Sequence, residues 1–100
     1  MIKHIVMWKL KDFAEGASKQ DNALKIKSSL DELRYKIKEI KFLEVGISVS
    51  DAPDFYEIVL ISAFNDAKDL ENYQKHPEHI KAAEFIAKVR LERKVIDYIV

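Results

Sequence analysis

The sequence predicts an α+β domain of order β-α-β-β-α-β, a four-stranded antiparallel sheet with its helices on one face. Three observations carry this prediction. The apolar period is two near both ends of the chain and in its middle, and three to four in the two stretches between. The two central strand segments are parted only by the turn SDAPD, so they form an antiparallel hairpin. The 100 residues suit one domain spanning 1–100, with 48% apolar and 34% charged residues.

The first strand is residues 2–10. Ile2, His4, Val6, Trp8 and Leu10 fall on one face, and Lys3, Ile5, Met7 and Lys9 on the other. KDFAEGAS, with Gly16, reads as a loop, and Ser18 or Asp21 can cap the helix that follows. From residue 19 to residue 40, Ile26, Leu30, Leu33, Ile37 and Ile40 make a narrow apolar stripe on a helix otherwise rich in lysine and glutamate. Such a stripe is that of a helix lying on a sheet. Residues 42–50 and 55–64 are the second and third strands, and Gly46 marks a bulge or a close approach. Asn65 or Asp66 caps a short helix carrying Ala67, Leu70 and Tyr73. His76-Pro77 ends it, because a residue before proline avoids helical geometry, and Pro77 opens a new helix. Ile80, Ala83, Phe85, Ile86 and Ala87 give this helix its buried side as far as Val89, and KVIDYIV is the fourth strand. With right-handed crossovers the order gives a ferredoxin-like sheet.

Helices on one face leave the other face bare, yet these strands are apolar on both. Ile5 and Met7 oppose Val6 and Trp8. The third strand runs IVLISAF. Val95 and Ile99 oppose Ile96, Tyr98 and Val100. An apolar patch of that extent marks an interface. A second copy placed face to face covers it with one self-complementary contact, so a homodimer is expected.

Composition narrows the function. Lysine plus arginine and aspartate plus glutamate number 17 each, so no basic excess directs the chain to nucleic acid or anionic lipid. The absence of cysteine excludes disulfides, thiolate catalysis and cysteine-ligated zinc, and fits a reducing compartment. No run approaches the roughly 18 apolar residues of a membrane span. The opening residues lack a signal-peptide layout, so the expected location is cytoplasmic. No glycine-rich phosphate loop or nucleophile elbow occurs, and no cofactor is expected.

The histidines carry what chemistry the sequence offers. His4 lies mid-strand beside Val6 and Trp8, either as a core histidine held by one hydrogen bond or as a pocket group. His79 falls in the first turn of the helix opened by Pro77. The positive helix end disfavours imidazolium there, and a neutral ring suits a general base; the other reading is a surface histidine. His4, His76 and His79 could form a three-histidine metal site only in principle. Pro77 disrupts the helical geometry that would align His76 with His79, and HPEH is not HExxH, so no metal is expected. Tyr73 is either packing or a phenol brought toward a pocket made aromatic by Trp8. Asp97, among apolar neighbours in the last strand, needs a partner, which is either a histidine or a rim lysine.

MIKHIVMWKLK, LENYQKHPEH and the terminal IDYIV together resemble the stress-responsive A/B barrel domain, or Dabb, family over essentially the whole chain, the tyrosine followed by HPxH being the most specific part. The resemblance implies a ferredoxin-like fold whose members pair through their sheets into dimeric α+β barrels. Most members have no assigned activity. One branch, the plant olivetolic acid cyclase type, cyclises a linear polyketide by an intramolecular aldol reaction. Its catalytic residues fall by motif on His4, Tyr73 and His79. His79 would be the base, His4 and Tyr73 would hydrogen-bond the carbonyl or enolate, and Asp97 would orient His79. Two functions follow as expectations. One is a cofactor-free binder or enzyme, of cyclase, lyase or isomerase type, holding a small apolar or aromatic molecule near Trp8. The other is a non-catalytic stress or assembly protein in which the same side chains form a hydrogen-bonded network. An enclosed cavity on which His4 and His79 converge favours the first.

Overall fold

The computed structural model describes residues 1–100. The elements are β1 (Ile2–Leu10), β2 (Phe13–Ala14), β3 (Ala17–Ser18), α1 (Lys19–Lys36), β4 (Phe42–Ile47), β5 (Ile58–Phe64), α2 (Ala67–Lys75), α3 (Pro77–Val89) and β6 (Arg90–Ile99). Four strands form an antiparallel sheet in the order β4-β5-β1-β6. This is the α+β, ferredoxin-like arrangement the sequence predicts. No helix is long and apolar enough to cross a membrane.

Local chemistry sets the element ends. The segment read as a loop is a miniature β2–β3 hairpin. Glu15 and Gly16 both have positive φ, 51° and 74°, as a two-residue turn between strands requires. Asn22 ties this hairpin to α1, its amide donating to the Ala14 carbonyl at 3.0 Å. Ser18 caps α1, its Oγ accepting the Asp21 N–H at 3.1 Å. The helix stops at Lys36, short of the end of the apolar stripe. Ile37 is already extended, yet its side chain still reaches the core, so the pattern outlasts the helix. Asp66 caps α2 by accepting the Asp69 N–H. Gly46 lies in a strand without a bulge. A Cβ there would meet Val59 Cγ1 at 3.3 Å, so the close approach accounts for it.

Period-two alternation sorts the sheet. Val6, Trp8 and Leu10 of β1, Leu43 and Val45 of β4, and Ile58, Leu60 and Phe64 of β5 pack beneath the helices. Ile26, Leu30 and Leu33 of α1 and Ala82, Ile86 and Val89 of α3 close the core from above. Ile80, Ala83 and Ala87, expected on the buried side of α3, are exposed instead, Ile80 by 43%. The inward face of α3 follows the 4-3 spacing of Ala82, Ile86 and Val89, and Ile80 lies off it. The opposite sheet face presents Ile5, Met7, Val59, Ile61, Ile96 and Tyr98 with no helix over them. The edge strand β6 is exposed at every residue after Arg90, and even Val95, on the helix side, is 47% exposed.

Candidate functional site

Two elements of backbone logic bring the site together. The first is the break between α2 and α3. His76 sits at φ −65° and ψ 136°, the extended geometry that a following proline imposes. Its Nδ1 accepts the Glu78 N–H at 3.1 Å, so His76 both ends α2 and caps α3. In one continuous helix, Tyr73 and His79 would point about 120° apart, at roughly 100° per residue. Across the break their rings lie 4.5 Å apart between centroids. The second is the register of β1 on β6, which sets His4 opposite Asp97, Val6 opposite Val95 and Trp8 opposite Arg93.

Tyr73 is 0% exposed and packs its ring on Phe64, with centroids 4.9 Å apart. No protein group lies within hydrogen-bonding reach of its buried hydroxyl. Burial pushes its pKa well above the ordinary phenol value, with the nearby Arg93 charge opposing weakly, so the hydroxyl is a donor throughout the physiological range.

His79 Nδ1 lies 3.1 Å from the Gln74 carbonyl oxygen. The carbonyl only accepts, so Nδ1 carries the proton and Nε2 keeps a free lone pair. Partial burial lowers the pKa of this ring; the hydrogen bond to the Gln74 carbonyl opposes this, and smaller effects of His4, Arg93 and His76 add to the lowering. His79 is therefore a neutral acceptor near neutral pH.

His4 is 2% exposed, with Nδ1 2.5 Å from Asp97 Oδ1. The carboxylate fixes Nδ1 as the donor and leaves Nε2 for the site. This corrects one expectation: Asp97 orients His4 and not His79. The two are directly opposed on neighbouring strands, whereas His79 is oriented from its own helix junction. The His4 and Tyr73 rings meet edge-on at 6.2 Å.

His4, Trp8, Tyr73 and His79 line one cavity of about 370 Å³ between the sheet and the helices. Val6, Leu30, Leu60 and Ile86 make its apolar wall, and Ala83 and Ala87 of α3, too small to fill the space, complete it. His76 is not among the lining residues, and no cluster of three or more histidine, aspartate or glutamate side chains is arranged to hold a metal. A larger depression of about 510 Å³ on the outer side of α1 is lined by Lys27, Asp31, Glu32 and Arg34 and holds no histidine.

Sequence reasoning missed Arg90 and Arg93, which also line the cavity. The signal was present, because stepping back by two from Asp97 through Val95 reaches Arg93 on the same face of β6. Of the three arginines in the chain only Arg34 takes part in an ion pair.

Comparison with known proteins places the chain in a family. The model of the stress-responsive A/B barrel domain matches residues 2–100. The chain belongs to that family. An uncharacterised Streptomyces coelicolor protein is 32% identical over 80 residues, covering 79% of each chain. A dimeric protein of unknown function and ferredoxin-like fold from Bacteroides fragilis superposes with a TM-score of 0.88 at 31% identity, over 99% of this chain and 95% of that one. A hydroxynitrile lyase from Passiflora edulis has the same fold, with a TM-score of 0.80 at 20% identity over 99% and 92% of the two chains. The family thus includes members with no assigned function, and the fold is shared with enzymes.

Proposed function

We propose that this A/B barrel protein is a homodimer whose cavity binds a small apolar or aromatic carbonyl compound and moves a proton on it without a cofactor. His79 Nε2 accepts a proton from the carbon next to the carbonyl. The Tyr73 hydroxyl donates a hydrogen bond to the oxygen as it gains charge, while His4, its Nδ1–H held by Asp97, presents Nε2 to the cavity as a second acceptor. An aldol cyclisation, a β-elimination and a keto–enol isomerisation can each begin with such a step. The observation that carries this reading is the Tyr73 hydroxyl, buried without a protein partner in a cavity that also holds both imidazoles. A hydroxyl so placed has its hydrogen-bonding capacity free for a molecule in the cavity, water or ligand.

A purely structural network is less well supported, because no hydrogen bond links His4, Tyr73 and His79 to one another. The dimer is supported by the uncovered apolar face of the sheet and by the dimeric Bacteroides fragilis relative.

The test follows α-proton exchange of small 1,3-dicarbonyl and aryl ketone compounds in deuterated water by NMR. The wild-type protein should accelerate exchange of at least one compound, and His79→Gln should lose about 10²–10⁴-fold of that acceleration. A His79→Gln variant as active as wild type refutes the assignment of the base. No acceleration of any compound, with no thermal shift by any of them, refutes the reading as a whole.

A further inference from the structure

Resting on the reading of this cavity as a ligand site, we infer that its ligand is a small carboxylic acid: a carboxylate held by Arg93 and Arg90, with an apolar body lying against Trp8. Two arginines line the cavity, Arg90 and Arg93, and neither is paired with a carboxylate of the protein. The nearest acidic side chain on the same face of β6, Asp97, is already committed to His4. A guanidinium offers planar paired donors that match a carboxylate, which is the reason arginine is preferred at such positions.

The placement is directional. Arg93 stands opposite Trp8 on β1, and Asp97 stands opposite His4. The two ends are four residues apart along β6, about 13 Å at roughly 3.3 Å per residue. Arg93 therefore leaves the sheet at the Trp8 end of the cavity and Asp97 at the His4 end. Leu30, Leu60 and Ile86 supply apolar wall between sheet and helices. An acid anchored at the Arg93 end extends its apolar body along Trp8 toward Tyr73 and the imidazoles. The volume of about 370 Å³ is at the small end for ligand pockets, which suits a compact acid and not a long-chain lipid.

The experiment is calorimetric titration of the full chain with benzoate, 4-propylbenzoate and octanoate. Each acid is paired with its neutral primary amide, and inorganic phosphate is a separate probe. At least one acid should bind about tenfold or more tighter than its amide, a difference of about 1.4 kcal/mol. Arg93→Gln should bring that pair to within about twofold by weakening only the acid. Because Arg93 makes no ion pair within the protein, Arg93→Gln should melt with the wild type when unliganded, so a loss of affinity is not a loss of fold. Acid and amide binding equally well would overturn the carboxylate inference while leaving the ligand cavity intact. Phosphate competing as well as the best acid would overturn the apolar part of the inference. Binding of none of the six organic probes would remove both the inference and the ligand reading beneath it.

Discussion

Replacing Tyr73 by phenylalanine deletes one oxygen and leaves the ring. The contacts with Phe64 at 4.9 Å and with His79 at 4.5 Å are ring contacts, so the substitution keeps them. What it removes is a hydroxyl that is buried and has no protein partner. Burying such a group costs about 1–3 kcal/mol by protein mutational data. The low end applies here, because the cavity reaches exposed Arg93 and so is not sealed from solvent. Tyr73→Phe should therefore stabilise the unliganded protein by about 1 kcal/mol, which for a domain of this size raises Tm by about 4–8 °C. Urea denaturation at a fixed protomer concentration measures this, since the stability of a dimer depends on concentration. An unchanged m-value would show that the native and unfolded states are otherwise the same. The same variant should bind carbonyl ligands less tightly. A loss of about 1 kcal/mol or more would refute the reasoning. It would mean that the hydroxyl is satisfied within the fold, as the structural-network reading requires.

The uncovered sheet face predicts that Ile96→Glu, at a position 58% exposed, yields a monomer in sedimentation equilibrium at micromolar concentrations where the wild type is a dimer; a monomeric wild type would refute the interface. Asp97→Asn replaces a charged partner of His4 by a neutral one and should cost about 1 kcal/mol in urea denaturation. The half-exposed carboxylate holds the loss to this size by solvent screening, and a neutral result would show that Asp97 does not hold His4. For pH dependence, burial lowers the folded-state pKa of His79 below its ordinary value of about 6.5. Below that value the unfolded chain binds a proton at His79 that the folded chain resists, so stability falls as pH drops from about 6.5 through the folded pKa. Denaturation at a series of pH values should show a shallower fall for His79→Gln than for wild type; identical slopes would refute it.

Much of the fold was legible because burial imposes periods on sequence. The alternation of His4, Val6, Trp8 and Leu10 is an imprint of a strand covered on one side, and all four side chains are buried. The α1 stripe was equally clear, but its C-terminal boundary was not, since Ile37 is buried from an extended residue just as well as from a helical one. The hairpin around Glu15-Gly16 is not legible in the sequence, because strands of two residues are too short to show a period. At the site, the motif brought His4, Tyr73 and His79 to one cavity. The partner of Asp97 depended on cross-strand register, which a single sequence does not fix. Arg90 and Arg93 are hard to see in the sequence, because the charged run RLERK has no apolar period of its own, and only the alternation carried back from Asp97 puts Arg93 on the cavity side.

The junction at His76-Pro77 gives the two halves of the site different tolerances for change. Tyr73 and His79 face each other because the chain leaves one helix and enters the next within a single residue. Adding or removing one residue between them would turn His79 by about 100° about the axis of its helix. Residue count in this segment is therefore as constrained as residue identity, and no compensating substitution elsewhere restores a lost angle. The cavity wall has less constraint of this kind, because Ala83 and Ala87 are exposed on α3 and can change size without moving the backbone of the junction. A change in what the proposed site accepts would come from side-chain volume in the wall, with the spacing from tyrosine to histidine held.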